Sequence, residues 1–334
     1  MLRTLKALLR APRPLVRACA ICLLSWSTLS SGPASAQDYP AKPITFIVAF
    51  APGGVADGIG RLIAQKLGEA LKQTVVVENR GGAGGNLAAK QVASATPDGY
   101  TILVTTTALA INETLHRNKG FAAADLETVA IVASSPEAFA VNKANAAGSL
   151  SDFLANAKGK TINFGSAGVG SGSHIAAEYF FKEIAKLPAT HVPFQGGAPA
   201  INAAVGNHID LLSITLGGGL VAQVRSGTLK GLGVMSDKRV GTMTDVPTFA
   251  EAGFPGFRAE SWVGLFVPAK TPAAIVTRLN AAVDAIVREP DLQQRLAALG
   301  FDPVTGDRVT AARRFKDDVG EWAKRVNALG MKVE

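Results

Sequence analysis

Apolar, β-rich runs that end in glycine-rich turns and pass into amphipathic helices recur along this chain, and that order constrains its fold more than any other feature. Ile44 to Phe50 leads into Pro52-Gly53-Gly54-Val55-Ala56-Asp57. Thr161 to Phe164 leads into Gly165-Ser166-Ala167-Gly168-Val169-Gly170-Ser171-Gly172-Ser173-His174. Further strand candidates are Val75 to Glu78, Thr101 to Thr105, Val129 to Ala133, Ala138 to Val141, Ala189 to Pro193, Ile209 to Ile214, Leu229 to Met235 and Ser261 to Val267. Helical spacing lies between them: Ile59, Ile63, Leu67 and Leu71 share one face, as do Ile275, Leu279, Val283 and Ile286. Strands alternating with helices predict an α/β chain with mostly parallel sheets.

Residues 1–36 read as an export signal. Arg3, Lys6, Arg10, Arg13 and Arg17 form a basic stretch without acids, Ala18 to Leu29 is a short apolar run, and Ala34-Ser35-Ala36 fits a cleavage site before Gln37. The apolar run falls short of the roughly 20 residues that a membrane span needs. No Arg-Arg pair precedes it and neither cysteine sits in a lipoprotein context, so Sec export to the periplasm is expected. The precursor carries 34 Lys and Arg against 26 Asp and Glu; removing the five signal bases leaves 29 against 26, a net charge of +3. Nucleic-acid binding loses its main support. Cys19 and Cys22 also leave with the signal, so the mature chain is expected to form no disulfide or thiolate metal site. About 298 residues remain, enough for two lobes, and a soluble exported chain is expected.

Each junction aims backbone N–H groups and the positive end of a helix dipole at the space above it, an arrangement that suits an anion. At the first, Asp57 in the opening helical turn either caps the helix or faces a ligand. At the second, Ser166, Ser171 and Ser173 add hydroxyl donors for carboxylate oxygens, and His174 either faces the ligand or packs. Gly81-Gly82-Ala83-Gly84-Gly85-Asn86 and Gly217-Gly218-Gly219 are read as turns into helices, and Arg313, Arg314 and Lys316 as a solvated helix face. Trp262 beside Gly264 suits a buried strand at an interlobe connection.

Competing chemistries lack their signatures. Gly165-x4-Gly170 is followed by Ser171 and not by the lysine of a P-loop. Gly168-x-Gly170 meets Ser173 where a dinucleotide fingerprint needs its third glycine. Ser166 and Ser171 have Phe164 and Val169 where a nucleophile elbow needs glycine. His116, His174, His191 and His208 show no i,i+4 pair and no adjacent cysteine, so neither a metal nor a cofactor is expected. No nucleophile–base pair is legible, which argues against an enzyme.

An ordered series of motifs then carries a family resemblance. Tyr39-Pro40-Ala41-Lys42-Pro43-Ile44, Pro52-Gly53-Gly54-x-x-Asp57, Val77-Glu78-Asn79-Arg80 with Gly84-Gly85-Asn86, and Pro97-Asp98-Gly99-Tyr100-Thr101 come first. Asn163 to Gly168, His191-Val192-Pro193-Phe194 with Gly196-Gly197-Ala198-Pro199-Ala200, Asp245-Val246-Pro247-Thr248 with Glu251-Ala252-Gly253, and Trp262-x-Gly264-Leu265 follow. Over residues 38–334 the chain resembles the Bug-type substrate-binding proteins of tripartite tricarboxylate transporters.

That resemblance implies a two-lobed type II periplasmic binding protein, each lobe a mostly parallel sheet flanked by helices. Residues 37–136 and 258–334 would form lobe 1 and residues 137–257 lobe 2, with crossovers near Ser135-Pro136 and Phe257 to Trp262. Transferred by position, Phe50, Ala51, Gly53, Gly54, Ala56 and Asp57 form one wall of a carboxylate site, with Thr106 and Thr107 beside it. Ser166, Ala167, Gly168, Gly170, Ser171, Ser173 and His174 form the other. The implied role is a monomeric receptor that delivers a small organic acid to the transporter's membrane subunits; the alternative is a ligand-sensing subunit for a membrane kinase or chemoreceptor. The chain departs from common relatives at Val169, where many have Asn, at Phe194-Gln195, where many have Tyr-Lys, and at Ser213-Ile214-Thr215, where many have an acid. These losses imply a less polar ligand end: a monocarboxylate with an apolar or aromatic body, or a simple dicarboxylate, more than a citrate-like tricarboxylate.

Overall fold

A computed structural model describes residues 39–333; the export-signal expectation for residues 1–36 lies outside them. Strand β1 (Ile44–Val48) is apolar on both faces and nearly all buried, as a central strand must be. It pairs in parallel with β2 (Val75–Asn79) and β3 (Thr101–Thr106). Between them run α1 (Val55–Leu71), which buries Ile59, Ile63 and Leu67, and α2 (Asn86–Ala93). Helix α3 (Ala108–Leu115) then leads to β4 (Leu126–Asn142), a single strand of 17 residues where the sequence pattern predicts two.

Along β4 the partners change at one point. Residues up to Pro136 pair with β9 (Glu260–Pro268), whereas Glu137 onward pair with β7 (Leu211–Thr215) and β8 (Leu229–Val234). Proline has no N–H to give a ladder, so a position where one set of partners gives way to another is where a strand tolerates it. The pattern Val129 to Ala133 and Ala138 to Val141 breaks at Ser134 to Glu137 because three of those residues are polar and the fourth is proline, yet all four are buried at this crossing.

β5 (Ile162–Ser166) lies between β7 and β6 (Ala189–Pro193), parallel to both. The sheet is therefore mixed. Two parallel trios, β2-β1-β3 and β6-β5-β7, are joined through the antiparallel strands β9 and β4. The expectation of mostly parallel sheets holds within each trio and fails for the connecting strands, because β9 is buried on both faces and gives no sign of its direction. A short strand, β10 (Asp302–Pro303), which the pattern did not show, pairs with β4.

Helices α4 (Leu150–Asn156), α5 (Gly172–Tyr179), α6 (Gly197–Val205) and α7 (Gly218–Arg225) accompany β5 to β8; α8 (Ala273–Val287), α9 (Pro290–Ala298) and α10 (Arg308–Leu329) follow β9. α10 begins where the Asp307 carboxylate accepts from the Thr310 N–H at 2.7 Å and ends at Gly330 in a left-handed conformation, the usual start and stop chemistry. It packs on α3 and β4, and Trp262 of β9 donates its indole N–H to Asp318 on it at 2.6 Å. Arg314, on the face expected to be solvated, pairs with the exposed Glu260 at 2.9 Å. Around β4 and β5 the core is aromatic: Phe139 stacks on Phe181 at 5.5 Å and meets Phe180 and Phe249 edge-on at 5.5 and 5.2 Å.

Candidate functional site

The first junction joins β1 to α1. Gly53 has φ +80°, a left-handed conformation that favours glycine, and so turns the chain within one residue. No side chain caps the helix, whose N-cap is Gly54, so its first-turn N–H groups face outward. Ala51, Gly53 and Gly54 are exposed, Phe50 is half-buried, and Ala56 and Asp57 are buried. The Asp57 carboxylate is already engaged: one oxygen accepts from the Gly53 N–H at 2.9 Å, the other from Arg61 Nε and Asn79 Nδ2, each at 2.9 Å. Burial opposes its charge, but these donors outweigh burial and hold its pKa below the ordinary carboxylate value. Asn79 also donates to the Phe50 carbonyl at 3.0 Å. Asp57 thus braces the loop from beneath, and the outward surface of the junction carries the Gly53–Gly54 backbone beside the exposed Pro52 and Val55.

Thr106 and Thr107 end β3. Thr106 Oγ1 accepts from the Ala108 N–H at 3.3 Å, and the fully buried Thr107 accepts from the Trp262 N–H at 2.9 Å, tying this end of β3 to β9.

The second junction joins β5 to α5, and its polar atoms are densely cross-linked. Ser171 is the N-cap: its hydroxyl accepts from the His174 N–H at 3.2 Å and donates to the Gly168 carbonyl at 2.7 Å. Ser173 Oγ lies 3.1 Å from Ser171 Oγ and accepts from the Ala167 N–H at 3.4 Å. Ser166 is fully buried, accepts from the Gly168 N–H at 3.1 Å, and stands 2.7 Å from His191 Nε2. The Gly170 N–H donates to His174 Nδ1 at 3.2 Å, which leaves the His174 proton on Nε2. The rings of His174 and His191 stack with centroids 3.8 Å apart, and Phe164 stacks on His191 at 5.1 Å. Burial in this apolar stack lowers the pKa of His191 to about 4; burial, then the neighbouring ring, lowers that of His174 to about 3. Both are neutral at pH 7. His174 therefore packs beneath the loop and fixes Gly170.

The Ser166–His191 pair corrects the sequence reading, which found no nucleophile beside a base. Twenty-five residues separate the two, and only the parallel pairing of β5 with β6 brings them together. A histidine with so low a pKa is a weak base, and the serine it meets is wholly buried, so the pair orients a loop hydroxyl.

The two junctions abut common residues. Gly81 and Gly85 lie against Ala49, Phe50 and Ala51 of the first, while a Cβ on Gly170 of the second would stand 2.9 Å from Asn112 Oδ1. Asn112 in turn donates to the Gly84 carbonyl at 2.9 Å and to Asn86 Oδ1 at 3.1 Å. On the other side, Gly172 opens α5 against Ser261 and Glu137, next to Trp262 and its partner Thr107. Sequence reasoning passed over Glu137 and Asn112, and weighed His191 only as a metal ligand. Only His191 left a signal, its place in the His191-Val192-Pro193-Phe194 motif. Two helix starts brought together this way, the first over an Asp57 carboxylate already matched by its donors and the second over two neutral histidines, can bind a small anion.

Known proteins share this architecture. The family profile described as tripartite tricarboxylate transporter family receptor matches residues 59–331. A UPF0065 protein in the tcbD-tcbE intergenic region of Pseudomonas sp. strain P51 is 33% identical over 317 residues, 93% of each chain. Among solved structures, R. palustris Rpa4515 with adipate aligns with a TM-score of 0.83 at 30% identity, over 88% of this chain and 99% of its own. MatC from Rhodopseudomonas palustris with bound malate aligns at 0.80 and 32% identity, over 86% of this chain and all of its own.

Proposed function

From membership of the tripartite tricarboxylate transporter receptor family, to which this chain belongs, we propose that it is a periplasmic solute-binding protein, not an enzyme, and that it captures a small carboxylate between its two helix-end junctions. The observation that carries this reading is that the two strand-to-helix junctions abut common residues, the first with a helix start that no side chain caps and the second with a loop whose own amides are held in place by Ser166, Ser173 and His174. Adipate and malate in the relatives Rpa4515 and MatC support a carboxylate ligand here.

In this reading residues 37–136 with 258–334 and residues 137–257 are two lobes, and the crossing at Pro136–Glu137 with the return at Ala259–Glu260 is their hinge. Three backbone hydrogen bonds hold that hinge: Glu137 N–H to Ala259, Met235 N–H to Glu137, and Ala259 N–H to Met235, at 2.9, 2.8 and 3.1 Å. Closure over the ligand desolvates its hydrogen bonds, each worth about 1.5 to 3 kcal/mol before ordering costs. A handful gives on the order of −8 kcal/mol, or about micromolar affinity. The closed monomer is then the form that the transporter's membrane subunits recognise.

A thermal-shift screen of mono-, di- and tricarboxylates, with malate and adipate included, tests this. Ligand at about 100 times Kd adds about 2.7 kcal/mol, which is a rise of several degrees. Gly54→Val should abolish the shift and leave the fold intact, since a Cβ there meets only the Ala51 carbonyl, at 3.5 Å. Ser166→Ala, which removes only the buried hydroxyl bonded to Gly168 and His191, probes the opposing wall. No shift with any acid, or an undiminished shift in Gly54→Val, refutes the reading.

A further inference from the structure

We propose that Glu137 belongs to the ligand site and that docking of the ligand carboxylate places one proton on this side chain. The inference rests on the second junction being a carboxylate seat. Glu137 is fully buried at the point where β4 changes partners. Its Oε1 accepts from the Ser261 hydroxyl at 2.6 Å and the Thr215 hydroxyl at 3.1 Å, while Oε2 has no partner. A Cβ on Gly172, the first residue of α5, would stand 2.6 Å from Oε1, so this carboxyl lies directly against the helix start that Ser171 caps.

Among the described residues no cation pairs with it. Of the ionisable groups on the elements packed around it, Glu260 of β9 is paired with Arg314, Lys230 of β8 is bonded to the Asn145 carbonyl, and His174 of α5 is neutral. Glu178, also on α5, is itself pushed toward its neutral form by burial. Burial raises the pKa of Glu137 to about 7 against the opposing effect of the two hydroxyls. A carboxylate arriving at the same helix start puts a second negative charge nearby in a space shielded from water, where two such charges cannot both persist. The ligand keeps its charge because it lies at the positive end of the α5 dipole, and Glu137 takes up a proton from solvent. This also revises the sequence reading of a wall without an acid: Ser213-Ile214-Thr215 contains none, but Thr215 donates to one supplied by the neighbouring strand.

Isothermal titration of the whole mature chain with malate and with adipate, across roughly pH 6 to 9 and in two buffers of different ionisation enthalpy, tests the linkage. Wild-type affinity should fall about tenfold per pH unit once Glu137 is ionised in the free protein, with uptake of about one proton per ligand bound. Glu137→Gln, which mimics the neutral form, should bind equally well across that range with no uptake from this group. Thr215→Val removes a hydroxyl that favours the charged form and should move the wild-type midpoint to higher pH. Parallel pH profiles in wild type and Glu137→Gln, or an unmoved midpoint in Thr215→Val, overturn the inference while leaving the receptor reading intact. Absence of binding of either acid at every pH in folded wild type overturns both.

Discussion

Replacing Asp57 should show whether the first junction is held from beneath or shaped by its own backbone. In Asp57→Ala the Gly53 N–H and the Asn79 amide lose an ionised acceptor, each such bond contributing about 1.5 to 3 kcal/mol. Arg61 is half exposed, so its ion pair adds only roughly 0 to 1 kcal/mol. Water can reach the exposed Gly53 and recover part of that loss, so the net destabilisation is about 2 to 4 kcal/mol. At about 2 to 4 °C per kcal/mol, the melting temperature should drop by roughly 4 to 16 °C in a calorimetric or circular-dichroism melt. Asp57→Asn, which keeps an acceptor but loses the charge, should cost less. The sign with pH is fixed: because the folded-state pKa is lowered, the charge-dependent advantage over Asp57→Asn is present above the ordinary carboxylate value and is lost as pH falls through the lowered one. Equal melting of wild type and Asp57→Ala at neutral pH, or an advantage over Asp57→Asn that persists undiminished in acid, would refute the brace.

Two further perturbations address the second half of the sheet. Phe139→Ala removes the ring that contacts Phe180, Phe181 and Phe249 and should cost about 3 to 5 kcal/mol in urea unfolding; a loss below about 1 kcal/mol would mean that the cluster collapses freely around the gap. His191→Phe preserves the stack on His174 but not the contact with Ser166, so malate or adipate affinity should fall about tenfold, Ser166→Ala should match it, and the double variant should add nothing; additive losses would break the proposed coupling. The same variant carries a pH signature. The unfolded chain takes up protons near the ordinary histidine value while native His191 resists until about pH 4, so wild-type stability should decline through that window and His191→Phe should flatten the decline in an acid titration followed by fluorescence.

Much of the architecture was legible because local chemistry and tertiary need agree. β1 and β5 are short, apolar and followed by glycines; α1 repeats its apolar residues at helical spacing, and the structure buries that face. The strand pattern at Ala189 to Pro193 matches β6 at both ends. Legibility failed where a residue's role belongs to a partner far along the chain. Ser134 to Glu137 look like a turn, since polar residues and a proline rarely occupy a buried strand, yet they form the crossing of β4 because β7, β8 and β9 supply their hydrogen bonds.

The amino-acid sequence by itself determined the alternation of strands and helices, the placing of two amide-rich turns at strand ends, and the family, since each is written in residues close together along the chain. Tertiary structure alone decided strand direction, the spending of Asp57 on the loop beneath it, the meeting of Ser166 with His191, and the burial of Glu137 against the start of α5. The physical reason is that a charge or a hydroxyl acquires its role from the groups that desolvate and bond it, and in this fold those groups arrive from strands and helices distant in the chain.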